Sequence, residues 1–154
     1  MTANDPPKEG LVKVSFALEP GAWHGSATET LWAEPIGPGQ YRLENSPFFA
    51  FGISYKDVVL ARPDGSKMLF VEPFSRGGHS TYRIIPNPNR IAESDDMWAL
   101  LQKLGCSSEE GPVGLLVIDV PPNANIFDVY HALEAGESEG IWSFEEGHCG
   151  HAVS

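Results

Sequence analysis

Apolar and polar side chains alternate with period two along Leu11-Val12-Lys13-Val14-Ser15-Phe16-Ala17-Leu18, which predicts a first strand ended by Glu19-Pro20-Gly21. The same period over residues 28–35 puts Thr28, Thr30 and Trp32 on one face of a second strand, with Leu31 and Ala33 on the other. Gly37-Pro38-Gly39 then turns the chain into residues 40–43, a hairpin signal. Asn45-Ser46-Pro47 breaks the pattern ahead of the aromatic cluster Phe48, Phe49 and Phe51. Residues 58–61, 67–72 and 79–85 read as further strands, separated by Pro63-Asp64-Gly65-Ser66 and Ser75-Arg76-Gly77-Gly78. Five to seven short strands with Gly/Pro turns predict a small curled sheet or barrel.

After Pro86 the period changes. Met97, Leu100, Leu101 and Leu104 form a helical stripe between a cap at Ser94 and a stop at Gly105, with acids in the first turn. Residues 106–111 read as a short edge strand or loop. Leu115-Leu116-Val117-Ile118, within residues 114–121, is too short for a membrane span and lacks amphipathic spacing. It predicts a central strand buried on both faces. Ile126, Val129, Tyr130 and Leu133 mark a second helix through about Ala135, capped by Asn123 or Asn125 and stopped at Gly136, and residues 141–145 form the last strand. The fold expected is α+β. A small curled antiparallel sheet or barrel over residues 8–78 precedes a ferredoxin-like split βαβ unit over 79–151, with two helices on one face.

Composition narrows the setting. A 42% hydrophobic content with four Trp argues against disorder, and 16 Gly with 13 Pro fits many short elements. No apolar run approaches the roughly 20 residues of a span, and Met1-Thr2-Ala3-Asn4-Asp5-Pro6-Pro7 has neither a basic nor an apolar stretch, so a cytoplasmic protein without membrane contact is expected. Cys106 and Cys149 read as thiols. Charge is uneven: nine acids face eight bases up to Ile85, and twelve acids face only Arg90 and Lys103 from Pro86 onward, net −10. That second half repels a phosphate backbone, so no nucleic-acid partner is expected. Solubility by net charge accounts for it, and a basic protein partner would complement it.

Two stretches concentrate chemistry. Glu145-Glu146-Gly147-His148-Cys149-Gly150-His151 holds two carboxylates, two imidazoles and a thiol. His148, Cys149 and His151 are the candidate metal ligands, with Cys106 as a distant fourth. Their spacing lacks the two separated ligand pairs of structural zinc sites. No cofactor is therefore expected, with zinc or another divalent transition metal as the alternative, and the segment reads as a polar cluster or plain terminus. The second stretch, Gly77-Gly78-His79-Ser80-Thr81-Tyr82-Arg83, offers donors for an anion, with His79, Thr81 and Arg83 on one strand face and Ser80 and Tyr82 on the other. Neighbouring strand residues diverge, and no Gly-x-Ser-x-Gly elbow occurs, so acyl transfer is not expected. Thiol chemistry would need Cys149 to pair with His79 across the fold. Asp119, inside an apolar strand, needs a donor, for which Arg83 or a backbone group are candidates. Trp32, Phe48, Phe49, Phe51, Tyr55 and Trp98 read as core, and His131 as an exposed or hydrogen-bonded helix residue. Glu134, Glu137 and Glu139 oppose the dipole at their helix end.

Taken together, Leu31-Trp32-Ala33-Glu34, Tyr41-Arg42-Leu43-Glu44-Asn45-Ser46-Pro47-Phe48-Phe49-Ala50, Gly52-Ile53-Ser54-Tyr55-Lys56-Asp57-Val58-Val59, Gly78-His79-Ser80-Thr81-Tyr82-Arg83 and the histidine-bearing tail resemble a bacterial family, DUF4265, a domain of unknown function. The likeness covers residues 12–151. It implies that these segments form the heart of the domain, and it implies no reaction, cofactor or catalytic residue. The leading functional expectation is a small binding or regulatory module recognising a protein partner or a small anionic ligand through His79, Ser80, Arg83, Glu145 and His151. The alternative is a small enzyme, a metal-dependent hydrolase, with His79, Glu146 and His148 as the catalytic candidates, a histidine as base and a carboxylate orienting it. Both expect the two polar stretches to meet. Convergence of three or more of these groups in one cleft favours chemistry, and dispersal beside an exposed apolar patch favours binding.

Overall fold

The inward residues of the alternating strands, Val14 and Phe16, Leu31 and Ala33, Leu43, Val59 and Ala61, meet in one buried cluster because their strands close on themselves. The computed structural model describes residues 10–153. In it β1 (Val12–Ala17), β2 (Thr28–Gly37), β3 (Gln40–Leu43), β4 (Val58–Asp64) and β5 (Lys67–Ser75) pair antiparallel in chain order. A parallel pairing of β1 with β5, Val14 opposite Met68, closes the ring. Gly65, at φ 62°, supplies the left-handed turn residue that joins β4 to β5.

The second sheet is β6 (Ser80–Pro86), β7 (Ser107–Glu110), β8 (Leu116–Val120) and β9 (Trp142–His148), antiparallel in the order β7-β8-β6-β9. Helices α1 (Ile91–Lys103) and α2 (Ile126–Ser138) lie along it, so the strand-helix-strand-strand-helix-strand order gives the expected α+β unit. β8 is central and buried on both sides. Ile118 and Val120 pack with Leu101, Val129 and Leu133 under the helices. Leu115 and Val117 pack with Phe48 and Phe49 from the loop after β3. Each fully buried aliphatic contributes about 1.5–3 kcal/mol, so this one strand ties the ring to the helices.

Two helix signals resolve differently from expectation. α1 starts three residues before Ser94, which lies buried inside the helix, and its N-cap is Arg90, with no side-chain cap bond. The Arg90 guanidinium bonds Glu93 and the Glu139 carbonyl instead, anchoring the helix start to the end of α2. Gly136 does not stop α2. A side chain there would lie 2.4 Å from the Trp142 ring, whose Nε1 donates to the Leu133 carbonyl at 3.1 Å, so that glycine is a close-approach point within the helix. Asn125 caps α2, its Oδ1 accepting from the Phe127 and Asp128 amides at 3.0 and 3.2 Å.

Candidate functional site

β6 is the hinge of the chemistry, since its two faces look into different surroundings. On the ring-facing side Arg83, 1% exposed, holds the loop after β3 by its carbonyls. Nη1 donates to Ala50 and Pro47 at 2.8 and 3.2 Å, Nη2 to Phe49 at 3.3 Å and Nε to Glu145 at 2.9 Å, while the guanidinium lies 4.7 Å from the Phe51 ring centroid. Glu29 grips the same loop by its amides, accepting from Phe48, Phe49 and Ala50 at 2.5, 3.1 and 2.9 Å. Residues 47–50 are thus clamped between a buried acid and a buried base. Arg83 is internal scaffolding, and neither an anion clamp nor the partner of Asp119.

Asp119 pairs instead with His79, whose Nδ1 lies 2.9 and 3.1 Å from the two carboxylate oxygens, with the Tyr55 ring edge-on to the imidazole at 5.3 Å. Burial pushes the Asp119 carboxyl up, against the pull of His79 and then His151. The pair fixes which imidazole nitrogen faces the acid.

The tail is ordered by a bulge. Tyr82 stands opposite Glu146 and Thr81 opposite His148, so Gly147 is the extra residue in β9. Simple alternation would send Glu146 and Cys149 to opposite faces; the bulge brings both to the helix side. There the Tyr82 hydroxyl donates to Glu146 Oε1 at 2.8 Å, and Cys149 packs against the sheet-helix core. Gly150 N–H donates to Ser80 Oγ at 2.8 Å, and Ser80 Oγ lies 2.6 Å from His151 Nδ1. His151 Nε2 donates to the Pro121 carbonyl at 2.9 Å, which turns Nδ1 toward the serine hydroxyl. Ser80 is fully buried, which makes this chain a latch rather than an exposed nucleophile.

His148 returns to the ring side, with Nε2 buried and lacking a hydrogen-bond partner. Burial first, then the Arg76 cation, holds its imidazole below the ordinary value, with Asp57 and Glu146 opposing. Between that lowered value and about 6.5 the unfolded chain binds more protons, so stability falls as pH drops below about 6.5. Urea denaturation at about pH 7.5 and about pH 5.5 should show a smaller loss in His148→Gln than in the parent, and equal losses would remove His148 as the cause.

A groove of about 490 Å³ lies between α2 and the tail. Phe127, Tyr130 and His131 line it from α2, and Glu146, Cys149 and Val153 from β9 and the residues beyond it. Tyr82, Tyr130 and Phe144 form a ring cluster beside it, with centroids 5.8–6.4 Å apart. Phe127 is 62% and Tyr130 40% exposed, so the groove wall on α2 presents two aromatic rings to solvent.

The two polar stretches therefore meet, but as separate networks. Ser80 joins Gly150 and His151; His79 joins Asp119; Arg83 joins Glu145; Tyr82 joins Glu146. Cys149 touches Ser80 and the His151 carbonyl, not His79. Among the described residues no group of three or more His, Cys, Asp or Glu is gathered to hold a metal ion. Sequence reasoning missed Glu29, although an acid in the inward register of Leu31 and Ala33 was the available signal. Tyr130 reads in the sequence as part of the stripe of the second helix, and Phe127 is not singled out there.

No curated protein matches the chain. A crystal structure of a hypothetical protein from Neisseria gonorrhoeae superposes with a TM-score of 0.77 at 19% identity, covering 91% of this chain and 96% of that one, a likeness of fold. No helix among the described residues is long and apolar enough to cross a membrane. The family model for the domain of unknown function DUF4265 matches residues 29–144, which span the ring strands from β2, both helices and the first three residues of β9, and the chain belongs to that family.

Proposed function

We propose that this protein is a binding module whose ligand seat is the groove between α2 and the tail of β9. The observation that carries the reading is the groove itself: about 490 Å³, within the roughly 300–1,000 Å³ of small-molecule sites, with exposed aromatic walls and a few polar groups at one side. The hydrolase reading has less behind it, because its residues are tied into different networks. The groove takes Glu146 alone from that set, and it takes none of the residues expected to bind, His79, Ser80, Arg83, Glu145 and His151, of which Arg83 and Glu145 border a different recess beside Trp23.

Cys149 reports occupancy of the groove. It is partly exposed there, whereas Cys106 is buried and its thiol is pushed up to about 12 by burial. Iodoacetamide at about pH 8 should alkylate Cys149 and spare Cys106, as read by peptide mass spectrometry. A panel of phenyl-bearing amines, alcohols and carboxylates should include members that slow Cys149 alkylation saturably. If none does, or if bound members shift the NMR signals of Phe16, Phe49 and Phe70 at the mouth of the ring instead, the groove is not the seat.

A further inference from the structure

The groove is lined by two carboxylates, Glu134 on α2 and Glu146 on β9, and by no lysine or arginine. Both acids lie on exposed residues. Glu146 is oriented: its Oε1 accepts the Tyr82 hydroxyl, which leaves Oε2 to accept from a ligand. Tyr82 itself is 1% exposed and packed against Tyr130 and Phe144, so the acid is held by a rigid donor. Aromatic faces next to carboxylates attract a cation twice over, through ring quadrupole and charge. The surrounding half of the chain reinforces this. From Pro86 onward twelve acids face two bases, and such a field raises the local concentration of cations. An anion would meet the repulsion of both carboxylates, with no lysine or arginine in the lining to offset it.

Resting on the binding reading above, we propose that the groove takes a small organic cation: a protonated amine carried on an aromatic or apolar body. The nitrogen donates to Glu146, Glu134 adds to the attraction, and the body lies against Tyr130 and Phe127. The occupant is a free small molecule rather than a basic peptide, because the opening has the volume of a small-molecule site and the tail residues Cys149 and Val153 wall its side.

The test uses the full chain, labelled with ¹⁵N, titrated in parallel with phenethylamine, 2-phenylethanol and 3-phenylpropanoate. Phenethylamine should shift the amides of Phe127, Tyr130 and Cys149 saturably, and bind more tightly than the other two. Its affinity should fall with added sodium chloride, while that of the alcohol should not. Glu146→Gln should weaken it by about twofold to fivefold, since a charge-assisted hydrogen bond at an exposed carboxylate becomes a neutral one. Glu72→Gln on the ring, outside the groove, should leave it unchanged. Glu146 is exposed, and an unchanged thermal midpoint for Glu146→Gln shows that the fold is intact. If the alcohol or the carboxylate binds the groove as well as the amine, or if salt and Glu146→Gln have no effect, the cation assignment fails and the binding reading stands. If no probe perturbs the groove, both fail. A lysine-bearing peptide that binds the same residues more than about tenfold tighter than phenethylamine would overturn the small-molecule assignment.

Discussion

Arg83→Met is expected to remove about 3–5 kcal/mol of folding free energy, the loss typical of deleting one partner from a buried charged network. Methionine restores most of the apolar stem of Arg83 but none of its donors. Three loop carbonyls, Pro47, Phe49 and Ala50, lose their guanidinium partner in a place water reaches poorly, at about 1–3 kcal/mol for each buried group left unsatisfied. Glu145 is 31% exposed on its side chain and can rehydrate, so it adds little to the loss. Glu145→Gln is accordingly expected to cost under about 1 kcal/mol, which separates the loop clamp from the ion pair. Because Glu29 grips the same residues by their amides, Glu29→Gln combined with Arg83→Met should cost less than the sum of the two, since once the loop is free on one side the other grip holds less. Urea denaturation reads all four chains. A loss below about 1 kcal/mol for Arg83→Met would mean that the loop stands without its clamp.

This clamp also marks where sequence reasoning stops. Periodicity exposed the strands that turn one face to a core, left residues 106–111 as an edge strand or loop because β7 has no apolar face, and exposed β8 because four aliphatics in a row have no other soluble use. The Asn125 cap was legible since its bond is local. Ser94 was misleading: it satisfies the composition of a cap, but Arg90 makes a tertiary anchor that no local pattern encodes. Arg83 reads in the sequence as a donor for an anion or for Asp119; its partners are carbonyls 33 to 36 residues away, and carbonyls leave no trace in a sequence. The His79–Asp119 pair joins residues 40 apart and follows only once β6 and β8 are known to be neighbours, with Thr81 opposite Asp119. The groove depends on the bulge at Gly147, a one-residue slip that moves Cys149 to the face of Glu146. Chemistry in the tail was visible as composition, and its division between two faces was not.

Gly150→Ala is expected to release the tail and with it one wall of the groove. A Cβ on residue 150 would stand 2.2 Å from the His79 carbonyl oxygen and 3.1 Å from its carbon, and that backbone is fixed by the start of β6. No rotamer relieves such a clash, so the tail must lift. Lifting breaks the Gly150–Ser80, Ser80–His151 and His151–Pro121 bonds, each worth about 0.5–1.5 kcal/mol net. The escape is local, so the loss cannot exceed what docking the tail contributes, and about 2–4 kcal/mol is expected. His151→Ala removes two of those bonds without the clash and should cost about 1–2 kcal/mol, which keeps the test informative if Gly150→Ala folds poorly. Both variants should speed Cys149 alkylation, Gly150→Ala the more, and both should weaken phenethylamine binding because Cys149 and Val153 leave the groove together. Parental stability in Gly150→Ala would show that residue 150 does not rest on the His79 carbonyl. Lost stability with unchanged alkylation and binding would place the strain elsewhere and separate the latch from the groove that the tail lines.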